Sequence, residues 1–413
     1  MVAFHYPPFV GGSGIQRTLK FSNYLPSYGW LPIVLTANPL AYAEVGNDQV
    51  HEIPKNVTVT RAFALDAGRH LAIYGSYPSW LALPDRWVSW WLGAVPAGWH
   101  LLRKYRPEVI WSTYPIATAH LIGLTLHCLT GVPWVADFRD SMTEEHYPPD
   151  GLTRQTYRWI ERQAIRRSSR LVFTAHSTRE MYLNRYPDLR REQASVILNG
   201  YDEEDFKDIV ASAPTKENGR RPTRLLHAGI IYPDERDPRP FFRALSRLRK
   251  EGRVSIENLR VDLRASGSED YYAAIIQKLG INDLVHLLPA LPHQQALQDC
   301  ANADGLLVFQ AASCNHQIPA KIYEYLRARR PILALTPDEG DTTALLRETG
   351  GATVVDLSNE QSIYMALPDF LESVRNGTHP LAETRKVQYY TRRNQALELA
   401  ECLSEVVKSQ GAR

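Results

Sequence analysis

Apolar residues in this chain fall in short bounded runs that alternate with helix-length stretches of mixed polarity, the pattern of parallel strands joined by helices. Gly29-Trp-Leu-Pro-Ile-Val-Leu-Thr36, Val57-Thr-Val-Thr60, Pro107-Glu-Val-Ile-Trp-Ser-Thr113, Pro133-Trp-Val-Ala136 and Leu171-Val-Phe-Thr174 read as strands. Between them the spacing predicts an apolar helix over 116–129 and a helix with Tyr157, Ile160 and Ala164 facing inward. A further helix over 178–185 has Ser177 as its N-cap. Val196-Ile-Leu-Asn-Gly-Tyr-Asp202 reads as a strand closing in an Asn-Gly turn, and the polar stretch 211–222, with Pro214, Gly219 and Pro222, as a linker. The alternation then restarts, with strands at 224–231, 259–265, 285–288, 305–309 and 352–355, and a long helical region over 384–408 ends it.

The second half is organised around Asn315-His-Gln-Ile-Pro-Ala-Lys-Ile-Tyr-Glu-Tyr-Leu-Arg-Ala-Arg-Arg-Pro-Ile-Leu-Ala-Leu335. Pro319 suits a first helical turn, Ile322, Tyr323 and Leu326 mark one buried face, and Arg329-Arg330-Pro331 stops the helix before a buried strand. A loop feeding a helix start offers unpaired N–H groups to a phosphate, and Lys321 and Glu324, three apart, face the same ligand. The first half opens on a short strand and a glycine-rich loop, Gly11, Gly12 and Gly14, with a helix starting near Ser13 or Gly14. Arg17 stands where a dinucleotide fingerprint needs its third glycine, and no Gly-Lys-Ser/Thr makes a P-loop. The loop reads equally as an anion site or as a plain strand–turn–helix.

Composition sharpens this picture little, and charge somewhat more. With 413 residues, 44% apolar and 22% charged, the chain suits two packed α/β domains. Residues 1–200 carry 20 Lys and Arg against 15 Asp and Glu, and residues 201–413 carry 27 against 30, so the net +2 hides +5 in the first half and −3 in the second. Arg154, Arg158, Arg162, Arg166 and Arg170 form a slanting ridge, which reads either as a solvated face or as a contact for an anionic membrane. Tyr74, Tyr77, Trp80, Trp87, Trp90, Trp91 and Trp99 read either as core packing of a helix pair or as an interfacial segment. No recognised nucleic-acid motif accompanies these charges, so nucleic acid is not expected as a partner. Cys128, Cys300, Cys314 and Cys402 form no metal-like pair, no apolar run is long enough to span a bilayer, and a cytoplasmic setting is expected.

Taken in order over most of the chain, these motifs resemble the retaining nucleotide-sugar glycosyltransferases of family four, which share the GT-B fold. The resemblance implies two Rossmann-like α/β domains with parallel sheets facing an interdomain cleft. Residues 1–205 would bind the acceptor, 206–223 link, 224–385 bind the nucleotide-sugar donor, and 386–413 cross back as a helix on the N-terminal domain. In the family an apolar helix carries a Glu that holds the donor ribose, with backbone amides before it on the phosphates. Glu324 and Ala320 take those places, and His316 stands where a second acid is common. Gly12 and Gly14 face the donor phosphates, and Gly229 and Gly267 line the pocket. The family's common Arg after the glycine is here Ile230, which leaves Arg236 as the phosphate ligand and Arg239 as its helper or as helix-start structure. Asp137-Phe-Arg-Asp140 matches a loop of these relatives and reads either as a structural Asp–Arg pair or as a direct role for Asp137 and Asp140. Arg139 and His176 fall on the acceptor side.

The implied reaction moves a sugar from a nucleotide-diphosphate sugar to a hydroxyl acceptor with retention. Lys321 and Arg236 would stabilise the departing diphosphate, without metal or other cofactor. The acceptor expected is a saccharide or lipid-linked saccharide in surface polysaccharide assembly. That places the protein peripherally on the inner face of the membrane, through Arg158, Arg162, Arg166 and the Trp-rich segment. A nucleotide-sugar epimerase, and a non-catalytic scaffold or sugar-nucleotide sensor, are the rival readings.

Overall fold

The computed structural model describes residues 1–11, 14–47, 49–145, 147–210, 221–233 and 236–411, arranged in two compact units. Unit 1 comprises Met1–Asn199 and Arg392–Arg413, and unit 2 is Gly200–Thr391. Unit 1 runs α1 (Gly14–Tyr24), β1 (Ile33–Ala37), β2 (Thr58–Ala62), α2 (Ser89–Tyr105), β3 (Ile110–Thr113), α3 (Ala117–Thr130), β4 (Trp134–Phe138), α4 (Gly151–Arg167), β5 (Arg170–Phe173), α5 (His176–Arg185) and β6 (Ala194–Val196).

The strands β3-β4-β5-β6 and β1-β2 are parallel, and Val2 bridges both groups by pairing with Leu35 and with Ser112. The Val2 amide donates to Trp111 O at 2.7 Å and the Leu35 amide to Met1 O at 2.8 Å, so residues 1–3 lie as a minimal strand between β1 and β3. The chain therefore leaves that central strand towards β1 and β2 and returns to β3. The loops after residues 1–3 and after β3 thus diverge at a topological switch point.

Unit 2 repeats this logic with β7 (Thr223–Ala228), α6 (Arg239–Lys250), β8 (Leu259–Arg264), α7 (Glu269–Lys278), β9 (Val285–Leu288), α8 (His293–Asn302), β10 (Gly305–Phe309), α9 (Lys321–Ala328), β11 (Ile332–Leu335), α10 (Asp341–Thr349), β12 (Ala352–Val355), α11 (Glu360–Arg375) and α12 (Thr384–Val387). Its parallel sheet has the order β12-β11-β10-β7-β8-β9, with the switch point between β7 and β10. All four residues of β11 are buried, as a strand covered on both faces must be.

The long C-terminal helical region is broken. After α12 and a short 3₁₀ turn, Thr391 takes an extended conformation, and α13 (Arg392–Gly411) belongs to unit 1. There Ala396, Leu399, Ala400 and Leu403 pack with Phe21, Leu25, Trp111 and Val135. Residues 200–210 pack with unit 2 rather than ending unit 1: Tyr201 and Phe206 are buried, and Val210 exchanges hydrogen bonds with Gln298 of α8 at 3.2 and 2.8 Å. Residues 211–220 of the expected linker lie outside the described residues. The strand expected over 196–202 is shorter and earlier, and α5 starts at His176, which leaves Ser177 inside the helix instead of capping it.

Most of the Trp-rich stretch is core. Trp90 is fully buried, Trp87, Trp91 and Trp99 pack against the same cluster, and Trp91 Nε1 donates to Thr125 Oγ1 at 3.0 Å. On α4, Tyr157, Ile160 and Ala164 face inward as their spacing requires. The ends of the arginine ridge are tied down, Arg154 to the carbonyls of Pro148 and Glu145 at 2.8 Å each and Arg170 to Glu405 at 2.8 Å. Arg158, Arg162 and Arg166 remain exposed and line a groove of about 380 Å³ with Arg185. Among the described residues no helix is long and apolar enough to cross a membrane.

Candidate active site

In unit 2 the switch point gathers the organising loop, the start of α9 and the loop after β7. Lys321 opens α9, and its Nζ lies 3.0 Å from His227 Nε2. His227 is buried on β7 and its Nδ1 is 2.8 Å from Leu307 O on the adjacent β10, a contact in which only Nδ1 can donate. That fixes the tautomer with Nε2 as acceptor, so Lys321 donates to it. The imidazole is thus a neutral prop under the ammonium group. Burial, with Lys321 next, holds the His227 pKa well below its ordinary value, which keeps it neutral. Burial likewise lowers Lys321 to about 7, and the Arg236 charge adds to the effect.

Gly229 sits beside this amine with φ +108°, and a Cβ there would lie 3.0 Å from Lys321 Nζ. Only glycine gives that φ and that clearance together. The Gly229 amide donates to Arg264 O at 2.9 Å and the Ile231 amide to Ser266 O at 2.8 Å, which binds this loop to the one after β8. In the latter loop Ala265, Gly267 and Ser268 all have positive φ, a density of strain that clusters at ligand sites. Gly267 lies against Ile230, whose side chain is 48% exposed at the position where the resemblance expects a cation. Arg236 takes up that charge from six residues later. It donates to Ile230 O at 2.9 Å and stacks over Tyr232 at 5.2 Å. Arg239 is instead the first residue of α6 and is gripped by Asp237 at 2.8 Å, which makes it helix-start structure.

Glu324, one turn into α9, is half-buried with Oε1 4.0 Å from His293 Nε2, which in turn is 3.4 Å from Asp205. On the other side of α9 the Tyr325 hydroxyl oxygen accepts from the Ala228 amide at the end of β7 at 2.8 Å. Ala320 is in helical conformation directly before α9, and His316 is half-buried on the preceding loop. Lys321, Gly229, Arg236 and Gly267 therefore adjoin one another, and Glu324 follows along the helix. His227 and His293 were not singled out from the sequence. A histidine within Leu225-Leu-His-Ala228 was the only available sign of the first.

In unit 1 the C-terminal edge holds a different arrangement. Asp137 is fully buried at the end of β4, where Arg17 of α1 reaches it with Nε at 3.0 Å and Nη2 at 2.8 Å, and Thr113 Oγ1 donates to it at 2.7 Å. The same guanidinium donates to the carbonyls of Ile197 and Leu198 at 3.0 Å each. The direct role read for Asp137 is thereby corrected. Its oxygens are turned inward on a structural pair, and its partner is Arg17, not Arg139. Arg17, unremarked in the sequence beyond its departure from a fingerprint, joins α1, β4 and the end of β6.

Arg139 and Asp140 follow on the loop after β4, both half-buried. A Cβ at Gly14 would lie 2.6 Å from His5 Nδ1 and 2.9 Å from Arg139 Nη1, so both side chains crowd the start of α1. Burial, with the Arg139 charge behind it, lowers His5 to about 3, which leaves Arg139 as the cation at this helix start. His176 is exposed at the beginning of α5, and Gly12 lies outside the described residues. A cavity of about 520 Å³ in this unit is lined by residues such as Ile33 and Ile110 at the opposite, N-terminal ends of the strands. It is remote from the switch-point loops. Among the described residues no group of three or more His, Cys, Asp or Glu is placed to hold a metal ion.

Residues 58–200 match the family model described as a glycosyl transferase 4-like domain. That stretch is about a third of the chain. The chain's two-unit α/β architecture is the GT-B fold, and solved structures agree over nearly the whole length. A sucrose-phosphate synthase from Thermosynechococcus elongatus is 14% identical, with 98% of each chain covered and a TM-score of 0.68. Anabaena HepE, solved with UDP-glucose, is 16% identical over 96% of this chain and 98% of its own, with a TM-score of 0.64. WaaG, a glycosyltransferase involved in lipopolysaccharide biosynthesis, is 13% identical over 97% and 98%, with a TM-score of 0.62. At such identities these structures speak for the fold alone. No curated protein matches the chain by sequence. The glycosyl transferase 4-like match ends at Gly200, one residue past the end of unit 1's main segment.

Proposed function

We propose that this protein transfers a sugar from a nucleotide-diphosphate sugar to a hydroxyl of a saccharide acceptor, with retention of configuration. The observation that carries the reading is the Lys321 ammonium, propped by His227 against Gly229 and Arg236 at the switch point of unit 2. Two cations and a helix start converge there, an arrangement suited to the charge that develops on a diphosphate as its bond to the anomeric carbon breaks. The electron pair of that bond leaves with the diphosphate, and the acceptor oxygen forms the new bond as its proton departs. Glu324 holds the ribose, and Gly267 and Ala320 border the donor. In unit 1, Arg139 and His176 serve the acceptor, and Asp140 keeps the direct role read for it. The acceptor is a lipid-linked saccharide of surface polysaccharide assembly, reached from the cytoplasmic side of a membrane.

HepE was solved with UDP and with UDP-glucose, which makes UDP-sugars the first donors to try. A thermal-shift series with UDP-, GDP-, ADP- and dTDP-sugars tests the donor. A ligand at about a hundredfold excess over Kd stabilises the native state by about 2.7 kcal/mol. One nucleotide class is expected to raise Tm in the wild type and to lose most of that shift in Glu324→Ala. No shift with any of them defeats the reading. Exposed Ile230, in the place of a cation, favours a second reading as a donor-binding protein without turnover. Release of nucleotide diphosphate on adding acceptor decides between the two.

Donor binding also follows pH in a fixed direction. Lys321 is lowered to about 7, so below that pH the ammonium is present before the donor arrives, and above it a proton must be taken up on binding. The Kd for UDP-glucose, whose own charge is constant there, is expected to rise by up to about tenfold per pH unit above 7. Calorimetry between neutral and alkaline pH checks this. A flat profile contradicts the role given to Lys321.

A further inference from the structure

We propose that residues 66–86 form a membrane-docking loop that inserts Ile73, Tyr74 and Trp80 among the headgroups of an anionic bilayer. Its neck is closed by a buried carboxylate: Asp66 accepts from Arg86 Nε at 2.8 Å, and the Ala67 amide donates to Arg86 O at 2.8 Å. Just outside the neck, Ser89 Oγ accepts from the Leu65 amide at 2.8 Å and donates to Leu65 O at 2.9 Å. A loop of this length with so rigid a base is characteristically functional.

At its tip Ile73 and Ser76 exchange backbone hydrogen bonds at 2.8 and 3.1 Å, and Tyr74 and Gly75 turn the chain with φ of 50° and 77°. That two-residue turn drives the side chains outward. Ile73 is 74% exposed, Tyr74 104% and Trp80 67%. Unlike the helical tryptophans that follow, these side chains meet no core. Tyr and Trp beside an aliphatic residue, on a convex protrusion, suit the membrane–water interface better than the flat, closely fitted centre of a protein interface.

Charge selects the surface. Residues 67–84 contain no acidic residue, whereas Arg69 is exposed beside the tip, and Arg86 at the neck is matched by Asp66. The carboxylate at the neck, Asp66, is buried and already paired. The loop therefore presents apolar groups beside an exposed arginine and no exposed carboxylate, which suits anionic headgroups. The contact gives the lipid-linked acceptor proposed above a place to be met, and donor binding is measured alongside it so that the two ideas fail separately.

Full-length protein is sedimented with vesicles of phosphatidylcholine containing about 30% phosphatidylglycerol, and with phosphatidylcholine alone. Wild type is expected in the pellet with the anionic vesicles. The triple variant Ile73→Ser, Tyr74→Ser, Trp80→Ser is expected to lower the bound-to-free ratio by about tenfold or more. Arg158→Glu, Arg162→Glu, Arg166→Glu is expected to lower it less. An unchanged Tm without ligand shows that the loop variant is folded, and the thermal shift with UDP-glucose is read alongside it. The inference is overturned if wild type stays in the supernatant, or if the loop variant pellets as wild type does. In the first case, sedimentation velocity of wild type against the loop variant shows whether the tip pairs two copies of the chain instead. A donor shift without vesicle binding defeats the loop alone. Vesicle binding without any donor shift defeats the glycosyltransferase reading alone.

Discussion

Lys321→Ala is expected to lower kcat/KM for sugar transfer by about a hundredfold to a thousandfold, the usual cost of removing one preorganised donor from developing negative charge. The same variant should leave the unliganded protein no less stable than the wild type. Burial already disfavours the ammonium, which is why its pKa falls to about 7, so deleting it removes a group that the folded state tolerates poorly. Loss of activity together with undiminished Tm separates a ligand-directed cation from a structural one. His227→Phe tests the prop independently. The ring volume survives beneath α9, but the acceptor that aims Lys321 is gone, so kcat/KM should fall and its alkaline limb should move to lower pH, because the buried ammonium loses the acceptor that helps hold its proton. A variant of Lys321 that keeps full activity, measured by release of nucleotide diphosphate, would remove the basis of the functional reading.

Arg17→Ala has the opposite signature. It leaves Asp137 charged and fully buried, with only Thr113 to hold it, and it also frees the carbonyls of Ile197 and Leu198. Breaking a buried pair by removing one partner costs about 3–5 kcal/mol, which for a unit of this size lowers Tm by on the order of 10 °C. Asp137→Ala should destabilise comparably by stranding the guanidinium. The double variant should lose much less than the sum, because neither charge is then left without the other. Scanning calorimetry of the three variants measures this coupling. Additive losses would show that Arg17 acts through the carbonyls and not through Asp137. Neither single variant is expected to abolish donor binding by unit 2, where no residue of this pair lies.

Much of the fold was legible because it follows from local repetition. Short apolar runs such as Ile332-Leu-Ala-Leu335 can satisfy their backbone and cover both faces only inside a parallel sheet, and the helix spacing between them is equally local. The position of α9, its stop before Pro331 and the pairing of Lys321 with a loop were readable for the same reason. Helix ends were less so. Ser177 has the chemistry of a cap, yet the chain turns into α5 two residues before the expected start because β5 ends at Phe173 and leaves little loop to use. The C-terminal region has helical composition throughout, and its break at Thr391 comes from where each half finds its core.

The sequence by itself determined that this protein has α/β alternation, a restart near residue 224, and a loop and helix start carrying Lys321 and Glu324. It also supplied the cations from which the site is built. Only the tertiary structure decided their roles, because burial and partnership depend on residues far apart in the chain. Asp137 and Arg17 are separated by 120 positions, His227 and Lys321 by 94, and no periodicity records either pairing. A carboxylate in an Asp-Phe-Arg-Asp run reads as chemistry until a distant arginine encloses it. A histidine in a strand reads as packing until it is found supporting an amine at the switch point. The same holds for the aromatic residues between 74 and 99. Composition treats them alike, and only the neck closed by Asp66 and Arg86 separates those that fill the core from those that the fold leaves facing outward.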